Sequence, residues 1–145
     1  MRITFAVFTL AMTCACASPG AEDGSLGDPN VRAKLRDLAL QASSASGVSS
    51  PRTMVAVASP DHQAAEQVVS GDIVNDHVPV YVVMMTGGPF TATHASPPPG
   101  VATPQGNVLT LTVDAQTYRV TDVGVSADAP DLSQIDSEIV DLLAK

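Results

Sequence analysis

Three histidines come nearest, by type and spacing, to a chemical site in this chain. His62, His77 and His94 are its only imidazoles, and the first two each follow an aspartate directly. With the methionine pair at 84–85 as soft ligands, they would suit copper(I). Their spacings of 15 and 17 residues match no metal-ligand motif, however. Histidines at surface turns explain the same pattern, so we predict neither a metal nor another cofactor.

Other catalytic chemistries find less support. A serine nucleophile is typically placed by a Gly-x-Ser-x-Gly turn, and the nearest string, 124–127, ends a predicted strand. Asp114 and Asp122 would form a carboxylate pair for glycoside hydrolysis across a predicted hairpin. Polar residues are equally expected on the open face of a half-buried strand. We therefore predict a non-enzymatic protein, with a small hydrolase or metal-handling protein using the three histidines as the alternative.

The two cysteines, Cys14 and Cys16, close an N-terminal apolar run. Residues 1–17 combine one positive charge, about ten apolar positions and a small-residue exit, which predicts an export signal. The run is shorter than the roughly 20 residues that span a bilayer. Cleavage after Ala17 would release a soluble chain, whereas lipoprotein processing would place a lipid on Cys16. We favour lipidation of Cys16 and predict an extracytoplasmic protein, lipid-anchored at the cell membrane or secreted.

Composition narrows the class of partner. The net charge is −8, and removing Arg2 with the signal leaves six basic against 15 acidic residues. Such a charge disfavours nucleic acid and anionic lipid head groups. Beyond the signal the aromatic residues are Phe90, Tyr81 and Tyr118, too few for a sugar- or base-stacking surface. These exclusions leave an unknown envelope or extracellular protein as the predicted partner.

The rest of the sequence predicts the elements that position these residues. Residues 18–27 form a small-residue acidic stretch, which predicts a disordered tether. Asp28 and Pro29 then have the chemistry of a helix start. The predicted single domain covers 28–145, with a helix at 29–42, a linker at 43–52, a core at 53–126 and a C-terminal helix at 131–144.

Within the core, strands alternate with helix signals. Residues 53–58 and 78–85 read as strands, and 108–114 alternates apolar and polar residues cleanly. Ser59 and Pro60 predict the start of a short helix. The apolar phase changes within 118–125, which predicts a bulge near 121–122.

The fold class that follows is α+β, a small antiparallel sheet of three to four strands with helices packed on one face. The polar face of 108–114, continued across the hairpin, is the predicted contact surface. Its residues are Thr110, Thr112, Asp114 and Arg119.

Short strings between residues 78 and 132 carry a resemblance. They are Pro79-Val80-Tyr81-Val82-Val83, Phe90-Thr91, Pro98-Pro99-Gly100, Gly106 with Leu109-Thr110-Leu111, Val113-Asp114-Ala115-Gln116-Thr117, Val120-Thr121-Asp122-Val123-Gly124 and Pro130-Asp131-Leu132. This stretch resembles small uncharacterised secreted or lipid-anchored proteins of Gram-positive bacteria. The order helix, long strand and hairpin is also similar to the PepSY domain, with Tyr118 where PepSY hairpins usually carry glycine. That resemblance implies an exported helix-plus-sheet module that modulates peptidases and has no catalytic residues.

Overall fold

The computed structural model describes residues 24–93 and 95–144. In this part of the chain the elements are α1 (Pro29–Ala45), β1 (Thr53–Ser59), α2 (His62–Val69), β2 (Val80–Thr91), β3 (Gln105–Asp114), β4 (Val120–Ser126), a 3-10 turn (Leu132–Gln134) and β5 (Val140–Asp141). The predicted export signal with Cys16 lies outside the described residues, as does His94. Among the described helices, none is both long enough and apolar enough to cross a membrane.

Five strands form one antiparallel sheet in the order β4-β3-β2-β1-β5. The predicted antiparallel α+β fold is confirmed, and the sheet has one strand more than the three to four expected. The extra strand, β5, is two residues long and pairs with the outer side of β1. β4 lies at the opposite edge, so β3 is its sole neighbour in the described sheet.

The β3–β4 ladder contains the bulge that the change of apolar phase predicts. Thr112 pairs with Asp122 and Val113 with Val120, so Thr121 is an extra residue between the two pairs. Side chains alternate across a strand, and one additional residue brings Val120 and Val123 back to the same face. Both valines pack against the same core cluster.

The turn before β4 depends on an aspartate and a tyrosine. Oδ1 of Asp114 accepts the backbone N–H groups of Gln116 and Thr117, both at 2.8 Å. Tyr118 follows with a φ of 56°, in the left-handed region that favours glycine. Glycine would adopt this conformation without the steric cost that tyrosine has there.

Helix α1 covers one face of the sheet. Asp28 caps it by accepting the N–H of Asn30, and Pro29 occupies the first turn, as predicted. The helix runs three residues beyond the predicted end, into the predicted linker. Leu35 and Ala39 are fully buried against a cluster that includes Leu111 of β3.

Helix α2 covers the opposite face, so the prediction that the helices share one face is wrong. The neighbouring residues Val82 and Val83 of β2 are both fully buried, and they point to opposite sides of the strand. Val83 packs with the α1 cluster and Val82 with Ala65 of α2. Apolar residues at successive positions require cover on both faces, and one helix supplies each. The chemistry of Ser59 and Pro60 predicts a helix start with Ser59 as its cap, but α2 begins at His62 and Asp61 caps it.

The described part of the predicted tether packs onto the domain. The side chain of Leu26 is buried in the α1 cluster, and the Tyr81 hydroxyl donates a hydrogen bond to the carbonyl of Gly24. Disorder at 24–27 was therefore a wrong prediction. Residues 18–23 lie outside the described part of the chain.

The C-terminal helix predicted at 131–144 is also wrong. One 3-10 turn follows the cap residue Asp131, and the chain then extends into β5. Leu132 and Ile135 are buried on the α2 face, whereas Leu142 is buried on the α1 face. The segment crosses the edge of β1 to reach both clusters, and a single straight helix could not do so.

Candidate functional site

The two described histidines of the predicted set are bound crosswise to aspartates. Nδ1 of His62 lies 3.1 Å from Oδ2 of Asp76, and Nδ1 of His77 lies 2.9 Å from Oδ2 of Asp61. An ionised carboxylate only accepts hydrogen bonds, so each imidazole is the donor. We call these two contacts the Asp–His pairs. Each joins the start of α2 to the segment that precedes β2.

Backbone hydrogen bonds hold the same two segments together. The N–H of His62 donates to the carbonyl of Val78, and the N–H of Gln63 donates to the carbonyl of Asp76, both at 3.0 Å. Asp61 also caps α2 by accepting the N–H of Ala64 at 3.1 Å. The Asp–His pairs therefore lie on a scaffold that fixes the 71–79 loop against the helix.

The pairs lower the pKa of both aspartates. The hydrogen bond from His77 is the main cause that holds the pKa of Asp61 below its usual 3.8, and the N–H of Ala64 adds to it. The hydrogen bond from His62 does the same to the pKa of Asp76. Each hydrogen bond therefore favours the ionised form of its carboxylate.

A buried carboxylate lies beneath the first pair. Glu66 of α2 is 2% exposed, and its Oε1 accepts the hydroxyl of Thr112 at 2.5 Å. Its Oε2 accepts the hydroxyl of Ser70 at 3.3 Å. Nε2 of His62 faces Oε1 at 3.5 Å and makes no hydrogen bond to any described residue. These contacts tie α2 to β3.

This arrangement offers little to a substrate or a metal. His62 and Glu66 are both buried, and their polar atoms face one another across the helix turn. Within residues 24–93 and 95–144, no three His, Cys, Asp or Glu side chains are arranged to hold a metal ion. His94, the third predicted member, lies outside those ranges.

The contact face predicted from β3 is covered. Thr112 is 1% exposed beneath Glu66, and the Thr110 hydroxyl donates to the carbonyl of Gly124. The Asp114 carboxylate accepts backbone N–H groups of its own turn, and of the four residues only Arg119 is exposed. The clean alternation of β3 predicts an open polar face because threonine is common there, but the Thr112 hydroxyl is bonded to Glu66 of α2 and the Thr110 hydroxyl to the backbone of β4.

A different surface is open, between α1 and the edge strand β4. It is a cavity of about 520 Å³, which we call the β4 groove. Leu38, Ala42 and Ala45 line it from α1, and Val120, Asp122 and Val123 line it from β4. A second cavity of about 330 Å³ shares Asp122 and Val123 and continues along β4 to Val125.

The groove arises because α1 does not fully cover the sheet edge. Val120, Val123 and Val125 are half-buried against the α1 cluster, since no further strand lies beyond them in the described sheet. The helix contributes small side chains at Ala42 and Ala45, which leave the space unfilled. This groove was not predicted from the sequence. Its one signal was the run of alanine and serine that ends α1.

Comparison with protein-family models, curated proteins and solved structures gives no match to this chain. The resemblance to secreted Gram-positive proteins and to the PepSY domain stays a prediction.

Proposed function

We propose that this protein is an exported, non-enzymatic binding domain that holds a segment of an envelope or extracellular protein in the β4 groove. The observation that carries the proposal is an open cavity of about 520 Å³ beside an edge strand. Half-exposed valines on β4 form one wall of it and α1 forms the other. Concave, largely apolar surfaces with a few polar groups are the usual places for binding.

The state of the histidines supports binding over catalysis. Catalytic acids and bases must reach a reacting group, within about 3 Å or through one water. His62 is 7% exposed and is engaged with Asp76, while Glu66 is held by two hydroxyl donors. His77 is exposed, but its Nδ1 is bound to Asp61, the residue that caps α2. We therefore assign both Asp–His pairs to the stability of the 71–79 loop.

A photo-crosslinking experiment in the native host tests the groove. A benzophenone amino acid replaces Gln41, an exposed α1 residue that lines the groove, or Gln67, an exposed α2 residue on the other face. We expect a protein adduct from position 41 and none from position 67. The variant Ala45→Trp, which fills the groove, should suppress the adduct, while the matched Ala64→Trp on α2 should not. No adduct at position 41, or equal adducts at both positions, would contradict the proposal.

We also propose that the domain is anchored through a lipid on Cys16. The support is the position of this cysteine at the end of a short apolar run. Several acyl chains, each contributing about 0.8 kcal/mol per buried methylene, would hold the domain at the membrane. Cys16→Ser should move the protein from the membrane fraction to the medium. Unchanged membrane retention, or a wild-type N-terminus at Ser18, would rule the anchor out, and an adduct on Cys14 would reassign it.

A further inference from the structure

We propose that the partner segment binds as an added β-strand along the outer edge of β4, with basic side chains facing Asp122. This inference rests on the proposed function and specifies the chemistry of the segment. It distinguishes an extended, positively charged peptide from a folded apolar surface or a second copy of this chain.

The backbone of β4 provides the template. An antiparallel strand directs the N–H and C=O of alternate residues away from its neighbour. β3 is the one strand beside β4 in the described sheet, so the outward backbone groups of β4 have no strand partner there. An edge of this kind is a ready template for strand addition. The other sheet edge, β5, is only two residues long.

The bulge limits where the added strand can pair. Thr121 interrupts the regular ladder, and a bulge increases the local twist of an edge strand. Regular backbone geometry therefore runs from Asp122 to Ser126. At about 3.4 Å per residue, these five positions offer roughly 17 Å of edge.

The side chains of the added strand would alternate between the α1 face and the opposite face of the sheet. Val123 and Val125 point toward the α1 cluster, and an added strand continues the same face of the sheet. Every second side chain of that strand would enter the space between β4 and Ala42 of α1. This space accepts valine-sized groups because two residues of its α1 wall, Ala42 and Ala45, have small side chains. Alternating apolar residues are therefore expected in the segment.

The negative charge of Asp122 and of the whole chain favours a basic partner segment. Among the described residues, Asp122 is the one charged residue that lines either cavity, and its carboxylate makes no ion pair or hydrogen bond with any of them. The whole chain carries a net charge of −8. Pairing of β4 with β4 of a second copy would bring two such chains and two Asp122 carboxylates together, which electrostatics opposes. Lysine or arginine opposite Asp122 has the complementary charge.

The probe is an acetylated, amidated octapeptide of four Val-Lys repeats, compared with the corresponding Val-Glu peptide. We expect the Val-Lys peptide to bind the full chain and the Val-Glu peptide not to bind. Asp122→Asn should weaken the Val-Lys peptide roughly two- to fivefold, as for an exposed ion pair. The matched control Asp128→Asn removes the same charge from an exposed position beyond β4 and should leave the affinity unchanged.

Amide hydrogen exchange reports the binding mode. Strand addition should slow exchange at alternate amides between Asp122 and Ser126. Binding that Ala45→Trp abolishes without any slowing there would overturn strand addition and leave the proposed function standing. Binding that Ala45→Trp does not affect would contradict both. Failure of the Val-Lys peptide to bind, or equal affinity of the Asp122→Asn variant, would overturn the basic strand.

Discussion

At the scale of single residues, the burial of Glu66 decides how α2 is attached to the sheet. Its two oxygens accept hydroxyl donors from Thr112 and Ser70. A carboxylate that loses such a donor in a buried place keeps its desolvation cost without compensation. The hydroxyl of Thr112 should therefore contribute more to the free energy of unfolding than an average hydroxyl on a strand.

Replacing Thr112 by valine, which has nearly the same shape, should lower the free energy of unfolding by about 1.5–3 kcal/mol, the range for hydrogen bonds to charged groups. Thr110→Val is the matched control, since Thr110 is also buried on β3 but donates to a neutral carbonyl at 3.3 Å. That change should cost about 1 kcal/mol or less. Urea unfolding measures the change in both variants. Equal losses of stability would show that the hydrogen bond from Thr112 to Glu66 contributes no more than the one from Thr110 to a neutral carbonyl.

The sequence revealed part of this arrangement. The repeated Asp-His step was visible, but the pairing of each histidine with the other aspartate depends on the 71–79 loop folding back onto α2. Glu66 looked like an ordinary polar residue of a short helix. Its burial depends on Thr112, 46 positions away, and no local pattern encodes that distance.

At the scale of elements, periodicity predicted the strands better than the helix ends. The bulge followed from the change of apolar phase, because alternation along a strand is a local property. The helix predicted for the C-terminal segment was wrong, although its apolar residues have helical spacing, because these residues are buried in two different clusters. Leu132 is buried on one face and Leu142 on the other, and tertiary packing overrode the local pattern.

Variants of Tyr118, in the turn between β3 and β4, measure the energetic cost of a non-glycine residue with a left-handed backbone. Tyr118 adopts a φ of 56°, while its ring stacks on Tyr81 at 6.2 Å and lies 3.8 Å from Nζ of Lys34. Tyr118→Ala and Tyr118→Gly both lose these contacts, but alanine also keeps a left-handed penalty of about 1–2 kcal/mol. Glycine should therefore be the more stable variant by about 1 kcal/mol. Thermal and urea unfolding check the order, and an alanine variant as stable as glycine would contradict it.

At the scale of the whole molecule, the sheet has a packed cluster on each face and an acidic surface. The alternation of β3 predicts one covered face and one open face for the sheet. β2 is apolar on both sides, and this required the second cluster. The groove lies where this double cover ends, at β4, whose valines are only half-buried against the α1 cluster.

Hydrogen-bonded carboxylates should make the free energy of unfolding of the whole molecule fall at acid pH. Four aspartates, Asp61, Asp76, Asp114 and Asp131, have a pKa below the usual 3.8, each chiefly through a hydrogen bond in the folded state. A lowered folded pKa stabilises the protein fully above pH 3.8, and this contribution is lost as the pH falls through the folded value. The free energy of unfolding should therefore fall steadily below about pH 4.

His77 provides the sharpest check of this pH dependence, because its side chain is 64% exposed and its removal leaves the core intact. In His77→Ala, the pKa of Asp61 should rise toward 3.8, since the largest cause of its shift is gone. The pKa of Asp131, which depends first on the hydroxyl of Ser133, should stay unchanged and serves as the control. Carboxyl chemical shifts followed by NMR between about pH 2 and 6 measure both values. An unchanged pKa of Asp61 would show that the contact with His77 does not contribute to the pH dependence of the free energy of unfolding.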